Sequence, residues 1–262
     1  MDIPIYQIDA FEDGPFTGNP AAVCLLDTWL EDSVLQAIAE ENNLSETVFI
    51  VLADRGNHQL RWFTPTVEVD LCGHATLAAA YVVHQIEPTR DIVFDTRSGP
   101  VAVAVLEDGW LELDFPAQPP VPCELPPALR DGLDPSPVQT LRHDDYIAVY
   151  PKGTDLTTIK PDLTALAKLD LRGIIITTLG DEGIDYFCRF FAPACGIDED
   201  PVTGSAQCSL VPFWSGVLGK TDFTVRQLSP RGGLLRCQNL GDRVRIAGRC
   251  RPFLEGTITI TA

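Results

Sequence analysis

Two short strings hold residue types that can do chemistry. Asp70-Leu71-Cys72-Gly73-His74-Ala75 leads into the apolar run through Ile86, and Asp200-Pro201-Val202-Thr203-Gly204-Ser205-Ala206 leads into a second one ending near Gly219. In each, an acid precedes Gly-x-Ala, and the glycine opens an expected helix. The first N–H groups of a helix have no partner within it and carry partial positive charge. A glycine there lets the backbone turn tightly and a ligand approach closely. Two such starts facing one another across a domain interface would bind an anion such as a carboxylate through Gly73 and Gly204. The plainer alternative is that Asp70 and Asp200 simply cap the two helices.

Proton chemistry at such a site needs an acid or base. Glu46, in Asn42-Asn43-Leu44-Ser45-Glu46-Thr47-Val48-Phe49-Ile50, stands where a helix gives way to a strongly apolar strand. Desolvation there is expected to raise its pKa towards the range a general acid or base uses. His74 lies in the first turn of its helix, where the dipole disfavours a charged ring, so a neutral imidazole is expected. Ser205 is its counterpart in the second string. Asp200 is a candidate second proton carrier. Gly18-Asn19-Pro20 is a turn that could present Asn19 to the same cleft.

Composition limits the alternatives. The formal charge is −18, from 19 Lys and Arg against 37 Asp and Glu, with no basic run. Nucleic acid and anionic membrane surfaces are therefore not expected partners. The longest apolar stretches are strand-length, and the N-terminus lacks a signal-peptide pattern, so a cytoplasmic location is the default. The eight cysteines show no C-x-x-C spacing and read as reduced, mostly buried thiols. The four histidines do not repeat at ligand spacing, so no metal site is expected. P-loop, dinucleotide, zincin and G-x-S-x-G signatures are absent, and no cofactor is implied.

The elements that must carry these residues read as an α+β fold. Short β-rich segments (IPIYQIDAF, AAVCLL, TVFIVL, QLRWFT, DIVFDT, PVAVAVL, WLELDF) fill the first half, with helices near 29–43 and 74–86. Thr28-Trp29-Leu30-Glu31 reads as a capping box for the first helix. The second helix is nearly apolar all round and is expected inside a sheet-wrapped core. Positions 114–138 contain eight prolines and read as the crossing between domains, placed at 1–116 and 117–262, with the terminal strand free to return to the first. Beyond it, strands are expected near 146–150, 173–179, 184–192, 223–228, 233–239, 242–247 and 257–261, with helices near 162–169 and 204–218. The halves share an order. Arg61-Trp62-Phe63-Thr64-Pro65, Asp70 and Gly73-His74-Ala75 match Arg189-Phe190-Phe191-Ala192-Pro193, Asp200 and Gly204-Ser205-Ala206. This predicts an internal repeat of about 130 residues, two domains of one fold related by a pseudo-twofold axis.

Taken together, Asp9-Ala10-Phe11, Phe16-Thr17-Gly18-Asn19-Pro20, Leu44-Ser45-Glu46-Thr47, Asp70-Leu71-Cys72-Gly73-His74-Ala75-Thr76 and Glu199-Asp200-Pro201-Val202-Thr203-Gly204-Ser205-Ala206 resemble the PhzF family of phenazine biosynthesis-like isomerases. The resemblance spans nearly the whole chain. It implies the diaminopimelate epimerase-like fold, in which each domain wraps a mixed sheet around a central helix. It also implies a homodimer, no cofactor and a small carboxylate substrate. By motif position the proton-carrying glutamate falls on Glu46. Polar partners fall on His74, Asp200 and Ser205, backbone donors on Gly73 and Gly204, and Asn19 and Ser45 join the substrate-binding set. Two other readings stay open: an amino-acid racemase or epimerase using Cys72, and a non-catalytic binding module on the same scaffold. The two-thiol form is disfavoured, because the second half reads Asp200-Pro201 where a partner thiol would stand.

Overall fold

The computed structural model describes residues 1–53 and 57–260. It divides into two compact units: Met1–Asp114 with the stretch from Ala247 on, and Phe115–Ile246. The first contains β1 (Asp2–Ala10), β2 (Asn19–Leu26), α1 (Asp32–Asn42), β3 (Glu46–Val51), β4 (Asn57–Phe63), β5 (Glu68–Val69), α2 (Gly73–Ile86), β6 (Asp91–Thr96), β7 (Gly99–Val105) and β8 (Leu111–Pro116). The second contains β9 (Val121–Pro122), α3 (Pro127–Gly132), β10 (Gln139–Arg142), β11 (Tyr146–Val149), α4 (Leu163–Leu166), β12 (Ile174–Leu179), β13 (Tyr186–Ala192), β14 (Ile197–Asp200), α5 (Gln207–Leu218), β15 (Asp222–Gln227), β16 (Gly233–Asn239) and β17 (Arg243–Gly248). The chain then returns, and β18 (Cys250–Thr259) pairs antiparallel with β1.

Both units use one pairing scheme. In the first, β1 and β2 are antiparallel, β2 and β3 parallel, and β3 and β4 antiparallel. Strand β4 then meets β5 antiparallel and β6 parallel, and β6 meets β7 antiparallel. In the second, β10, β11, β12, β13, β14, β15 and β16 repeat that series, sense for sense. The repeated motif also makes the same contacts twice. Arg61 forks onto Glu68 with its guanidinium 5.1 Å from the Phe63 ring centre, and Arg189 forks onto Glu199 at 4.8 Å from that of Phe191.

Core formation follows from the apolar faces. Helix α2 is rich in alanine, so the strands around it can approach closely, and His74 through Ala80, Val82 and Val83 are buried. The other face of the first sheet covers α1 through Leu35, Ile38 and Ala39, packed with Phe49 and Phe63. Asn43 stops α1 in the left-handed conformation and returns its N–H to the Ala39 carbonyl. Leu133, Tyr146, Tyr150, Leu156, Ile174 and Phe191 build a core of the second unit.

Several sequence expectations need correction. The first helix begins at Asp32, and its N-cap, Glu31, makes no side-chain cap, so the Thr28 capping box does not form. The chain passes from the first unit to the second between Asp114 and Phe115, at the start of the proline-rich stretch, and the rest of that stretch belongs to the second unit. Pro126 and Pro127 start α3, where the missing N–H costs nothing, and Val121 and Pro122 pair with β10. Helix α5 begins at Gln207 and not at Gly204, because residues 204–206 form a tighter turn whose carbonyls accept from the next N–H groups. The terminal strand starts at Cys250, seven residues earlier than 257, and position 261 lies outside the described residues.

Candidate active site

In the first unit, three elements deliver four side chains to one buried spot. Strand β3 begins at Glu46, Cys72 is the N-cap of α2, His74 sits in that helix's first turn, and Asn19 opens β2. The loop before Asn19 depends on Gly18, whose φ is +83° and where a Cβ would strike the Ala10 carbonyl oxygen. The start of α2 is pinned from the core: Trp62 donates to Thr76 Oγ1, which donates in turn to the Cys72 carbonyl at 2.6 Å.

The imidazole of His74 is the hub. Its Nε2 lies 3.0 Å from Glu46 Oε2. Its Nδ1 lies 3.2 Å from the Asn19 amide nitrogen and 3.4 Å from Cys72 Sγ. Asn19, His74 and Cys72 are buried, and the Glu46 side chain is 13% exposed. The Asn19 amide can meet either protonation state of Nδ1, since turning it over exchanges its NH2 donor for its carbonyl acceptor.

The charge state differs from both sequence expectations. Burial pushes the Glu46 carboxyl up, but the His74 charge and hydrogen bonds from His74 and Cys72 outweigh it and hold the group below its ordinary value. Burial pushes His74 down, yet the charges of Cys72 and then of Glu46, with hydrogen bonds to both, hold the ring well above its ordinary value. Burial raises the Cys72 thiol, as does the neighbouring carboxylate. Both directions run against the sequence expectations: the Glu46 carboxyl is lowered where a rise is expected, and the His74 ring is raised where the helix start is expected to keep it neutral.

Among the described residues, only Glu46, Cys72 and His74 gather three metal-ligating atoms within 4.8 Å of one another. The ring presents Nε2 to the carboxylate and Nδ1 to the thiol, and the thiol also bonds the carboxylate, so the three groups contact one another.

Ser45 and Gly73 flank the cluster along the chain. Asp200, Gly204 and Ser205 belong to the second unit. There Asp200 closes β14 and accepts from Thr203 Oγ1 at 2.5 Å, so it fastens the turn and does not cap α5 with its side chain. Asp70 is exposed, and α2 likewise has no side-chain cap from it. Ser205 Oγ accepts from Arg172. Two residues here escape sequence reasoning. Buried Gln227 accepts from the Thr203 N–H and donates to the Asp200 carbonyl, locking the turn from 24 positions away. Arg172 precedes β12 in a string with no motif character.

The helix-centred mixed sheet of each unit is the diaminopimelate epimerase-like fold, and in the first unit it carries the buried Glu46, His74 and Cys72 cluster. The chain belongs to the PhzC-PhzF family, described as phenazine biosynthesis-like protein, which it matches over residues 8–256. It is 47% identical over 260 residues to an uncharacterized isomerase of Pseudomonas aeruginosa, covering 98% of this chain and 99% of that one. A PhzF-family crystal structure from Enterococcus faecalis is 41% identical, with a TM-score of 0.95 over 99% of this chain and all of the other. The fold extends to a hydroxyproline epimerase of Agrobacterium vitis, at 10% identity, a TM-score of 0.59, and 98% and 92% of the two chains covered. Family and relatives together support an isomerase-type function.

Proposed function

We propose that this protein isomerises a small carboxylate-bearing substrate by moving a proton with Glu46. The observation that carries this reading is the Glu46–His74 contact of 3.0 Å, buried at the start of α2. It keeps a base ionised beside an acid that is already protonated. Glu46 accepts a proton from a carbon activated by a neighbouring carboxylate or double bond and returns it to a different position of the same substrate, so that the double bond shifts and Glu46 is again ionised. His74 supplies positive charge to the developing anion, and Cys72 and Asn19 hold the far side of the ring. The repeat gives the proposal a second half, in which Asp200, Gly204 and Ser205 contribute to substrate binding, with Asn19, Ser45 and Gly73 in the first. The reading includes cofactor-independent chemistry, a homodimer and a cytoplasmic location, of which gel filtration tests the dimer.

The experiment is solvent-deuterium incorporation into a library of small carboxylates, followed by NMR. Wild type exchanges at least one member, and Glu46→Gln slows that exchange by about 100-fold or more, as loss of a positioned acid–base group does. Undiminished exchange in the variant removes Glu46 from the mechanism. A second reading rests on Cys72 Sγ lying 3.4 Å from His74: a racemase that uses this thiol. Cys72→Ala discriminates, because a thiol racemase loses inversion of an amino-acid stereocentre whereas the glutamate isomerase keeps its exchange.

A further inference from the structure

Glu46, Cys72 and His74 all belong to the first unit, and they bring together a carboxylate oxygen, a thiol sulfur and an imidazole nitrogen, the donor types that zinc takes. Strand β3 delivers the first and the start of α2 the other two. Spacing along the chain hides the set, because one histidine suffices once the fold carries Glu46 and Cys72 to it. One ligand atom from each residue lies within 4.8 Å of the others. Zinc bonds of about 2.3 Å to sulfur and about 2.0–2.2 Å to nitrogen and oxygen set tetrahedral ligand atoms roughly 3.3–3.7 Å apart. Drawing even a pair at 4.8 Å onto one ion therefore asks for a shift of about 1 Å, shared between two side chains.

Two further observations point to a ligand. Glu46 Oε2 and His74 Nε2 are buried atoms 3.0 Å apart, and neither has a well-directed hydrogen bond. Buried polar atoms in that state are costly, and an ion bonded to both removes the cost. The second is Asn19, whose amide lies 3.2 Å from His74 Nδ1. Turned to present its carbonyl, it accepts the Nδ1 hydrogen and leaves Nε2 to the metal, the support that ligating histidines ordinarily have. A thiolate and a carboxylate carry two negative charges between them, which balance a divalent ion, so the filled site is neutral and tolerates burial. The Glu46 side chain keeps 13% exposure, so the cluster is not sealed from solvent.

We propose that Glu46, Cys72 and His74 bind one zinc ion through Oε2, Sγ and Nε2, and that the bound ion blocks proton transfer by occupying the Glu46 oxygen. On binding, the thiol proton leaves to solvent, and water completes the fourth position. The blockade rests on the reading of Glu46 as the proton carrier; the site itself does not. Cobalt is the coloured probe, since a thiolate bonded to it gives a charge-transfer absorption band. Chelator-treated protein takes up one cobalt per chain with that band, zinc displaces it, and magnesium, which seeks oxygen ligands, does not. Cys72→Ser abolishes the band, Cys195→Ser keeps it, and Asn19→Ala weakens zinc about 10–100-fold. If Cys72→Ser fails to fold, nitrogen-15 spectra of the wild-type histidines decide: zinc shifts Nε2 of His74 while Nδ1 stays protonated. No band in wild type, a band that survives Cys72→Ser, or zinc shifts confined to other histidines overturn the site. Solvent exchange falls in step with zinc occupancy and returns with chelator, and exchange that continues with the site filled overturns the blockade. Exchange by metal-free Glu46→Gln tests the carrier by itself, so the metal site and the carrier can fail separately.

Discussion

Replacing Glu46 by glutamine removes one charge from a buried pair in contact at 3.0 Å. Its pH signature follows from both partners. His74 is held above 6.5 in the folded protein, so its contribution is complete below 6.5 and is lost as the pH rises through its folded value. Glu46 is held below 4.5, so its contribution is complete above 4.5 and is lost as the pH falls through its folded value. The pair thus stabilises the fold most between 4.5 and 6.5. Breaking a buried pair from one side costs about 3–5 kcal/mol, and the low end applies because the stranded imidazolium can shed its proton. For a chain of this size each kcal/mol moves the midpoint by about 2–4 °C, so Glu46→Gln melts about 6–12 °C below wild type at a pH of about 5.5. At a second, higher pH, beyond the folded-state value at which the wild-type ring gives up its charge, the gap is smaller. Differential scanning calorimetry at both pH values measures the gap, and a nitrogen-15 titration of the histidine rings follows His74 directly. A gap independent of pH, or a His74 ring that titrates at the same pH in both proteins, refutes the argument.

Other outcomes follow from the same contacts. Arg189→Met removes the fork onto Glu199 and the bonds to the Leu156 and Ile159 carbonyls; urea unfolding is expected to show a loss of about 3–5 kcal/mol. Gly248→Ala drives a methyl into the Phe11 ring and costs about 1–3 kcal/mol, part of it recovered in combination with Phe11→Leu. Iodoacetamide followed by peptide mass spectrometry labels exposed Cys195 first and Cys72 only on unfolding, because Cys72 is buried and its thiol pushed up. Early labelling of Cys72 counts against the buried cluster.

How far the sequence predicts the site depends on how local each signal is. The Gly-x-Ala strings, the repeated arginine motif and Glu46 at a helix–strand junction are local: Gly73 opens α2 and Glu46 opens β3, whereas Gly204 falls in the turn before α5. His74 shows where a local rule fails. A helix start carries about half a charge, whereas Cys72 and Glu46 both lie at hydrogen-bonding distance and both raise the ring. The Glu46 contact crosses 28 positions from β3 to α2, and no periodicity encodes it. Gln227 and Arg172 are hidden for the same reason: each acts on a turn more than 20 residues away through a fold that places β15 and β12 beside it. The start of α5 shifts because a glycine supports a tight turn as readily as a helix, and only the carbonyl acceptors decide between them.

The divergence of the two units bears on the choice between one proton carrier and two. A racemase with paired thiols needs an ionisable group in the same place in both halves. In the first unit Cys72 fills that place. In the second, counting back from Gly204 puts Thr203 there and not the Asp200-Pro201 of the sequence reading, and its hydroxyl is spent on Asp200 and its N–H held by Gln227. An aliphatic hydroxyl does not exchange a proton with carbon near neutral pH unless a base activates it. Asp200 is within reach to do so, but it also receives that hydroxyl's bond as part of the turn. Ser205, opposite in role to His74, is bonded to a guanidinium, which can donate but never accept. The repeat has therefore kept its scaffold while the side chains at its helix starts diverged, Glu46, Cys72 and His74 meeting in the first unit and Arg172 meeting Ser205 in the second.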